Sequence, residues 1–110
     1  MKRIKMGTIR GRHEMPVDGY FLDEVKEPSS MNEVTAKVAS KMANLFAEHI
    51  RYKYGRPRSY LALDLYVTGL TSVTAEIIAE CAANGIPLTL YHYNTRNGEY
   101  VPQVIFKGRE

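Results

Sequence analysis

The chemistry open to this chain is concentrated where Leu63-Asp-Leu-Tyr-Val-Thr-Gly-Leu-Thr-Ser-Val-Thr-Ala-Glu76 passes from a strand-like apolar run through a glycine turn into a helical pattern. The first amides of a helix lack intrahelical partners, the helix dipole adds partial positive charge, and glycine admits a ligand close to the backbone. Thr68, Gly69, Thr71 and Ser72 thus have the residue types of a phosphate site. The same residues are ordinary capping chemistry, and Thr68-Gly-Leu-Thr-Ser72 is neither a GxGxxG fingerprint nor a Walker loop. A second group, His92, Tyr93 and Asn94, ends the following strand: a ring can stack on a base, asparagine can read a base edge or ribose, and histidine can donate or accept. Asn94 has a turn-forming alternative and Tyr93 a half-buried strand alternative. Ligands of parallel sheets bind beyond the carboxyl ends of the strands, so the two groups are expected to be neighbours.

Other reactive types do not assemble into a catalytic set. Arg12, His13 and Glu14 offer an acid and a base, with no second carboxylate or nucleophile beside them, and a surface hydrogen bond is the favoured account of them. Ser72 lacks the G-x-S-x-G elbow. Cys81 is the only cysteine and falls on the apolar stripe of a helix, which makes it a core residue and excludes a disulfide framework or a Cys/His metal spacing. His49 reads as a core or interface histidine, and Asp64 faces away from the leucines of its strand, where it is expected to pair with an arginine. The expectation is a binding protein rather than an enzyme, without metal or cofactor.

Several elements must position these residues. Ile4 to Arg10 and Gly19 to Val25 alternate like strands, and their Gly- and Pro-bearing link predicts an antiparallel pair. Ser30-Met-Asn-Glu33 matches a capping box, after which Val34, Val38, Met42, Leu45, Phe46, His49 and Ile50 mark one face of a helix over 32–54 that stops at Gly55. Arg56-Pro-Arg-Ser59 reads as a loop and Tyr60 to Thr68 as a strand. A second helix runs from about Ser72 to Asn84-Gly85 with Val73, Ile77, Ile78 and Cys81 inward. Ile86 to Tyr93 is a strand, Asn94-Thr-Arg-Asn-Gly98 a hairpin turn, and Glu99 to Phe106 the last strand. The order is ββαβαββ: an α/β (mixed α+β) single domain over 1–110, with a mixed sheet, two helices and one right-handed parallel βαβ crossover.

With 110 residues, 45% hydrophobic and 25% charged, the chain has the composition of a soluble globular domain, and no apolar run approaches the ~20 residues of a membrane span. The opening Met1-Lys-Arg-Ile-Lys-Met6 alternates charge and bulk like a strand, without the apolar core of a secretion signal, so export is not expected and a reducing cytoplasm is. The net charge is +3, with cations crowded at Lys2, Arg3, Lys5, Arg10 and Arg12 and again at Arg51, Lys53, Arg56 and Arg58, which favours anions. A dedicated nucleic-acid binder would be more basic. Eight tyrosines would seek a partner chain if one sheet face were left open, which predicts a homo-oligomer.

Three stretches, Gly11-Arg-His-Glu-Met-Pro-Val-Asp-Gly-Tyr-Phe-Leu-Asp-Glu-Val25, Leu65-Tyr-Val-Thr-Gly-Leu-Thr71 and Leu90-Tyr-His-Tyr-Asn-Thr-Arg-Asn-Gly-Glu-Tyr-Val-Pro-Gln103, resemble a family of small phage proteins. This is the first-discovered Thoeris anti-defence family, sponges that sequester cyclic ADP-ribose signals made by bacterial TIR-domain enzymes. The resemblance spans most of the chain and implies a homo-oligomer that binds a small cyclic nucleotide signal intact, through stacking, an asparagine and arginines on the phosphates. Some members resemble cyclic-trinucleotide binders with a second site between subunits. By residue type it implies Tyr91, His92, Tyr93, Asn94 and Arg96 as ligand-binding, with Arg56, Arg58 and Arg109 as phosphate clamps. The alternative from another class is a ring nuclease of CRISPR signalling, which likewise pairs a Rossmann-like βα turn with a cyclic oligonucleotide. A third is an oligomerisation module without a ligand.

Overall fold

A computed structural model describes residues 2–10, 15–23, 31–53, 56–59, 61–68 and 71–107, and of these the side chains of all but 2, 46, 48–53 and 56–59. The described elements run β1 (Lys2–Ile9), β2 (Gly19–Leu22), α1 (Met31–His49), β3 (Ile50–Lys53), β4 (Arg56–Ser59), β5 (Leu61–Tyr66), α2 (Thr71–Asn84), β6 (Leu88–Asn94) and β7 (Glu99–Phe106). Five strands form a mixed α/β sheet in the order β2-β1-β5-β6-β7, and β3 and β4 form a separate two-stranded ribbon.

Neighbouring strands are parallel from β2 through β6, and only β7 is antiparallel to its neighbour. The crossovers from the β1 side to β5 and from β5 to β6 step in the same direction across the sheet. Right-handed connections therefore place α1 and α2 on the same face. The two helices pack on each other. Ile4, Met6, Leu61, Leu63, Leu65, Leu88 and Leu90 join one core cluster with Val34, Val38 and Met42 of α1 and Val73, Ile77 and Cys81 of α2. Of the apolar stripes expected, Val34, Val38 and Met42 of α1 and Val73, Ile77 and Cys81 of α2 are buried, Leu45 and Ile78 are half-buried, and the side chains of Phe46, His49 and Ile50 lie outside the described ones. At the end of α2, Gly85 has φ +67°, and the Ile86 N–H donates to the Cys81 carbonyl at 3.0 Å, a Schellman closure that seats Ile86 in the core.

Three expectations are corrected. The pair β1–β2 is parallel, with Met6 opposite Gly19 and Ile9 opposite Leu22. A parallel return normally needs a long crossover, but β2 starts level with Met6. The chain retraces only the three residues from Ile9 to Met6, roughly 10 Å, which residues 10–18 span easily. The first helix ends at His49, not 54, and Arg56–Ser59 is a strand rather than a loop, because Ile50–Lys53 pairs antiparallel with it. Ile50 and Tyr52 favour extended backbone, and Pro57 is tolerated because each strand of a two-stranded ribbon has a free edge. The capping residue Ser30 and the stop at Gly55 lie outside the described residues.

One buried contact ties the carboxyl end of β5 to β1. The Thr8 hydroxyl donates to the Thr68 carbonyl at 3.1 Å, lies 2.9 Å from the Thr68 hydroxyl and accepts the Thr68 N–H at 3.0 Å. Thr8 is fully buried. Thr8→Val keeps the shape of the side chain and leaves the Thr68 groups unpaired away from water. It is expected to lower stability by about 1–3 kcal/mol, read from urea unfolding followed by circular dichroism.

Candidate binding site on the helix-free face

Side chains alternate across a strand, so the register that sends the leucines to the helices sends their neighbours to the opposite face. Gly7 lies opposite both Tyr20 and Tyr66, Tyr66 opposite Tyr91, and Tyr93 opposite Tyr100. Five tyrosines thereby share the helix-free face. The Tyr66 and Tyr91 rings stack at 4.7 Å and 8°, Tyr100 meets Tyr66 edge-on at 4.8 Å, and Tyr93 tilts against Tyr100 at 5.3 Å. Stacked and edge-on contacts of this kind fit the ring quadrupole and add to simple burial. Tyr66 is 6% exposed and forms the floor of the array, while Tyr93, 44% exposed, presents its ring to solvent.

Gly7 makes this surface flat. A Cβ there would come within 2.6 Å of the Tyr20 ring and 2.7 Å of the Met15 methyl. Met15 thus crosses the same face, as a right-handed link between β1 and β2 requires. Cations border the rings. Arg3 and Lys5 project from β1 on the tyrosine side, and the Arg10 guanidinium lies 4.7 Å from the centre of the Tyr20 ring, a cation–π contact.

Asp64, 4% exposed, is held by Arg3 through Nε at 3.2 Å and through Nη2, which supplies the arginine partner expected for it. That hydrogen bond raises the Arg3 pKa. Arg10 bonds Asp23 through Nε at 2.8 Å and lowers its carboxyl pKa, with smaller contributions from Lys41 and Lys37. The aromatic floor is thus bordered by two guanidinium–carboxylate pairs and by the Lys5 ammonium.

The residues expected to form the site do not converge on one place. Tyr91 and Tyr93 belong to the tyrosine face. His92 and Asn94 alternate with them, and His92 lies on the other side with its Nε2 2.7 Å from Gln103 Oε1. Asn94 takes its turn-forming role: its Oδ1 accepts the Arg96 N–H at 2.9 Å, and Arg96 is exposed at the hairpin tip. Thr68 has both its hydroxyl and its amide engaged by Thr8. Thr71 is exposed as the first residue of α2 and Ser72 is half-buried. Gly69, Arg109, Arg12, His13 and Glu14 lie outside the described residues, as do the side chains of Arg56, Arg58 and His49. Reading the sequence for carboxyl ends of strands passed over Tyr20, Tyr66, Tyr100 and Arg3. The signal that finds them is the period of two, which sets Tyr66, Tyr91 and Tyr93 in alternation with core leucines.

Among the described residues no group of three or more His, Cys, Asp or Glu side chains is placed to hold a metal ion, and no helix is long and apolar enough to cross a membrane. Burial pushes the Cys81 thiol up to about 12, which removes it as a thiolate nucleophile at neutral pH. In comparisons with known proteins the chain matches no family model, no curated protein and no solved structure.

Burial also raises the Tyr66 and Tyr100 hydroxyls above their ordinary 10.0. The unfolded chain releases these protons first, so the stability they contribute is whole below about pH 10 and is lost as pH rises through the higher folded values. Urea unfolding from about pH 8 to about pH 11 is expected to show a flat region followed by a fall. In Tyr66→Phe the fall becomes shallower.

Proposed function

We propose that this chain is a binding protein that takes up a cyclic ADP-ribose-type signal and releases it unchanged, a phage anti-defence sponge working as a homo-oligomer in the cytoplasm of the bacterial host. The observation that carries this reading is the array of Tyr20, Tyr66, Tyr91, Tyr93 and Tyr100 beside Arg3, Lys5 and Arg10 on one sheet face. A cyclic ADP-ribose joins one flat purine to two riboses and a pyrophosphate. Tyrosine rings supply stacking surface for the purine, and bordering cations attract the pyrophosphate. The resemblance of the three sequence stretches to the sponge family supports the same ligand class. Exposed apolar surface at Tyr93 and at Val104, 56% exposed on the same face, supports association of copies.

The reading departs in one respect from the phosphate turn expected in the sequence. It assigns the base to Tyr93 and Tyr91 and the phosphate-side cation to Lys5, since Arg3 and Arg10 are held in ion pairs and Thr68 and Asn94 already have internal partners.

Calorimetric titration with cyclic ADP-ribose isomers tests it. Tyr93→Ala is expected to weaken binding tenfold or more, in line with about 1–3 kcal/mol for one base stacked on an aromatic ring. Lys5→Ala weakens binding at low salt and loses its effect at high salt. Mass spectrometry after heat denaturation recovers the ligand intact. Linear products would replace the sponge by a ring nuclease, and full affinity in Tyr93→Ala would move the ligand off this face. Light scattering at micromolar concentration reports assembly, and a monomer there would remove the oligomer from the proposal.

A further inference from the structure

The sheet has two edges, and they are not equivalent. Val67 donates its N–H to the Tyr91 carbonyl at 3.1 Å, so the backbone groups of Tyr91 face β5 and not β7. Its partner across the hairpin, Pro102, therefore sits in a non-hydrogen-bonded pair with its nitrogen turned to the free edge of β7. A proline nitrogen has no hydrogen to give, so strand addition along β7 is blocked at its centre.

The β2 edge has no such block. Arg10 donates its N–H to the Leu22 carbonyl at 3.0 Å, which turns the backbone of Leu22 toward β1 and the N–H and carbonyl of Phe21 away from it, to the outer edge. A cavity of about 550 Å³ runs along that edge. Four consecutive residues of the β2 segment, 20 to 23, line it, so side chains from both sheet faces contribute and the wall is the strand edge itself. The opposite wall is α1, through Ala36, Ser40 and Asn44, one row at i, i+4 and i+8 whose first two members are small. That row is about 12 Å long, the length of roughly four residues of extended chain.

We propose that this groove takes up an extended acidic peptide of a partner protein, which adds as a strand to β2 and lies against the small-residue row of α1. Strand addition into a strand–helix groove gives affinity through main-chain hydrogen bonds and selectivity through alternate side chains. Here the Phe21 N–H and carbonyl supply the main-chain contacts. Lys37 and Lys41 line the helical wall and Asp23 the strand wall; Lys37 is held by Glu33 at 3.1 Å and Asp23 by Arg10 at 2.8 Å, whereas no ion pair of the described residues reaches Lys41. A peptide carboxylate pairs with Lys41. A second copy of this chain would instead bring its own Lys37 and Lys41 toward these lysines, which the like charges oppose.

The probe is a fluorescein-labelled, end-capped peptide of sequence Glu-Val-Glu-Val-Glu, titrated by fluorescence anisotropy against the full chain. Saturable binding is expected, together with at least tenfold slower hydrogen exchange at the Phe21 amide in the saturated protein. Ala36→Arg fills the groove from the solvent-exposed side of α1 and is expected to abolish binding with the thermal transition unchanged. Lys41→Glu weakens binding at least tenfold and gains affinity for Lys-Val-Lys-Val-Lys. Absence of saturable binding, or binding that leaves Phe21 exchange unaltered or survives Ala36→Arg, overturns the proposal. Protection of Phe21 that depends on protein concentration without peptide also overturns it and assigns the groove to a second copy.

Discussion

The handedness of parallel crossovers is the constraint from which the rest of this molecule follows. The chain enters β5 and then β6 by steps in the same direction across the sheet, and a right-twisted sheet admits such steps only with the connecting helices on the same side. One face then becomes a dry core of leucine, isoleucine and valine from strands and helices alike. The other has to be finished by side chains that tolerate both packing and water, and tyrosine meets that requirement with an apolar ring and a polar tip. The aromatic surface is thus the complement of the core, laid down by the same alternation that places Leu65 beneath the helices and Tyr66 above the sheet.

Much of this was legible in the residues. Helix α2 was marked at both ends, by Thr71 and Ser72 at the start and Asn84-Gly85 at the close, and the Asn-Gly signal placed the β6–β7 turn, where Gly98 takes φ +71°. The central strand was readable because Leu61, Leu63 and Leu65 keep the strict period of two. Two features were not. The ribbon of β3 and β4 follows α1 without a break, and His49 and Ile50 continue the apolar stripe of the helix, so periodicity alone runs through the boundary. The parallel pairing of β1 with β2 depends on register, a tertiary property that a short Gly- and Pro-bearing link does not encode.

The candidate site was harder to read than the fold for a related reason. Residues adjacent in sequence, such as Tyr91, His92, Tyr93 and Asn94, are divided between two faces by the strand they occupy, while Gly7, Tyr66 and Tyr91 meet only because β1, β5 and β6 are in register. Hydroxyl and amide groups that look free in a sequence acquire partners in the fold, as Thr68 does with Thr8 and Asn94 with Arg96. A motif search weighs residue types, whereas availability is decided by what each group already touches.

The rings of the helix-free face touch one another before any ligand arrives, and this has a kinetic consequence. Tyr66, clamped between Tyr91 and Tyr100, has its rotamer chosen by folding, as does Tyr20 over the bare backbone of Gly7. A molecule that lands on such a surface immobilises little side chain that was not already still, so the entropy usually lost in ordering a recognition loop is small. Encounter is then governed by diffusion and by the pull of the bordering cations rather than by a slow rearrangement of the protein.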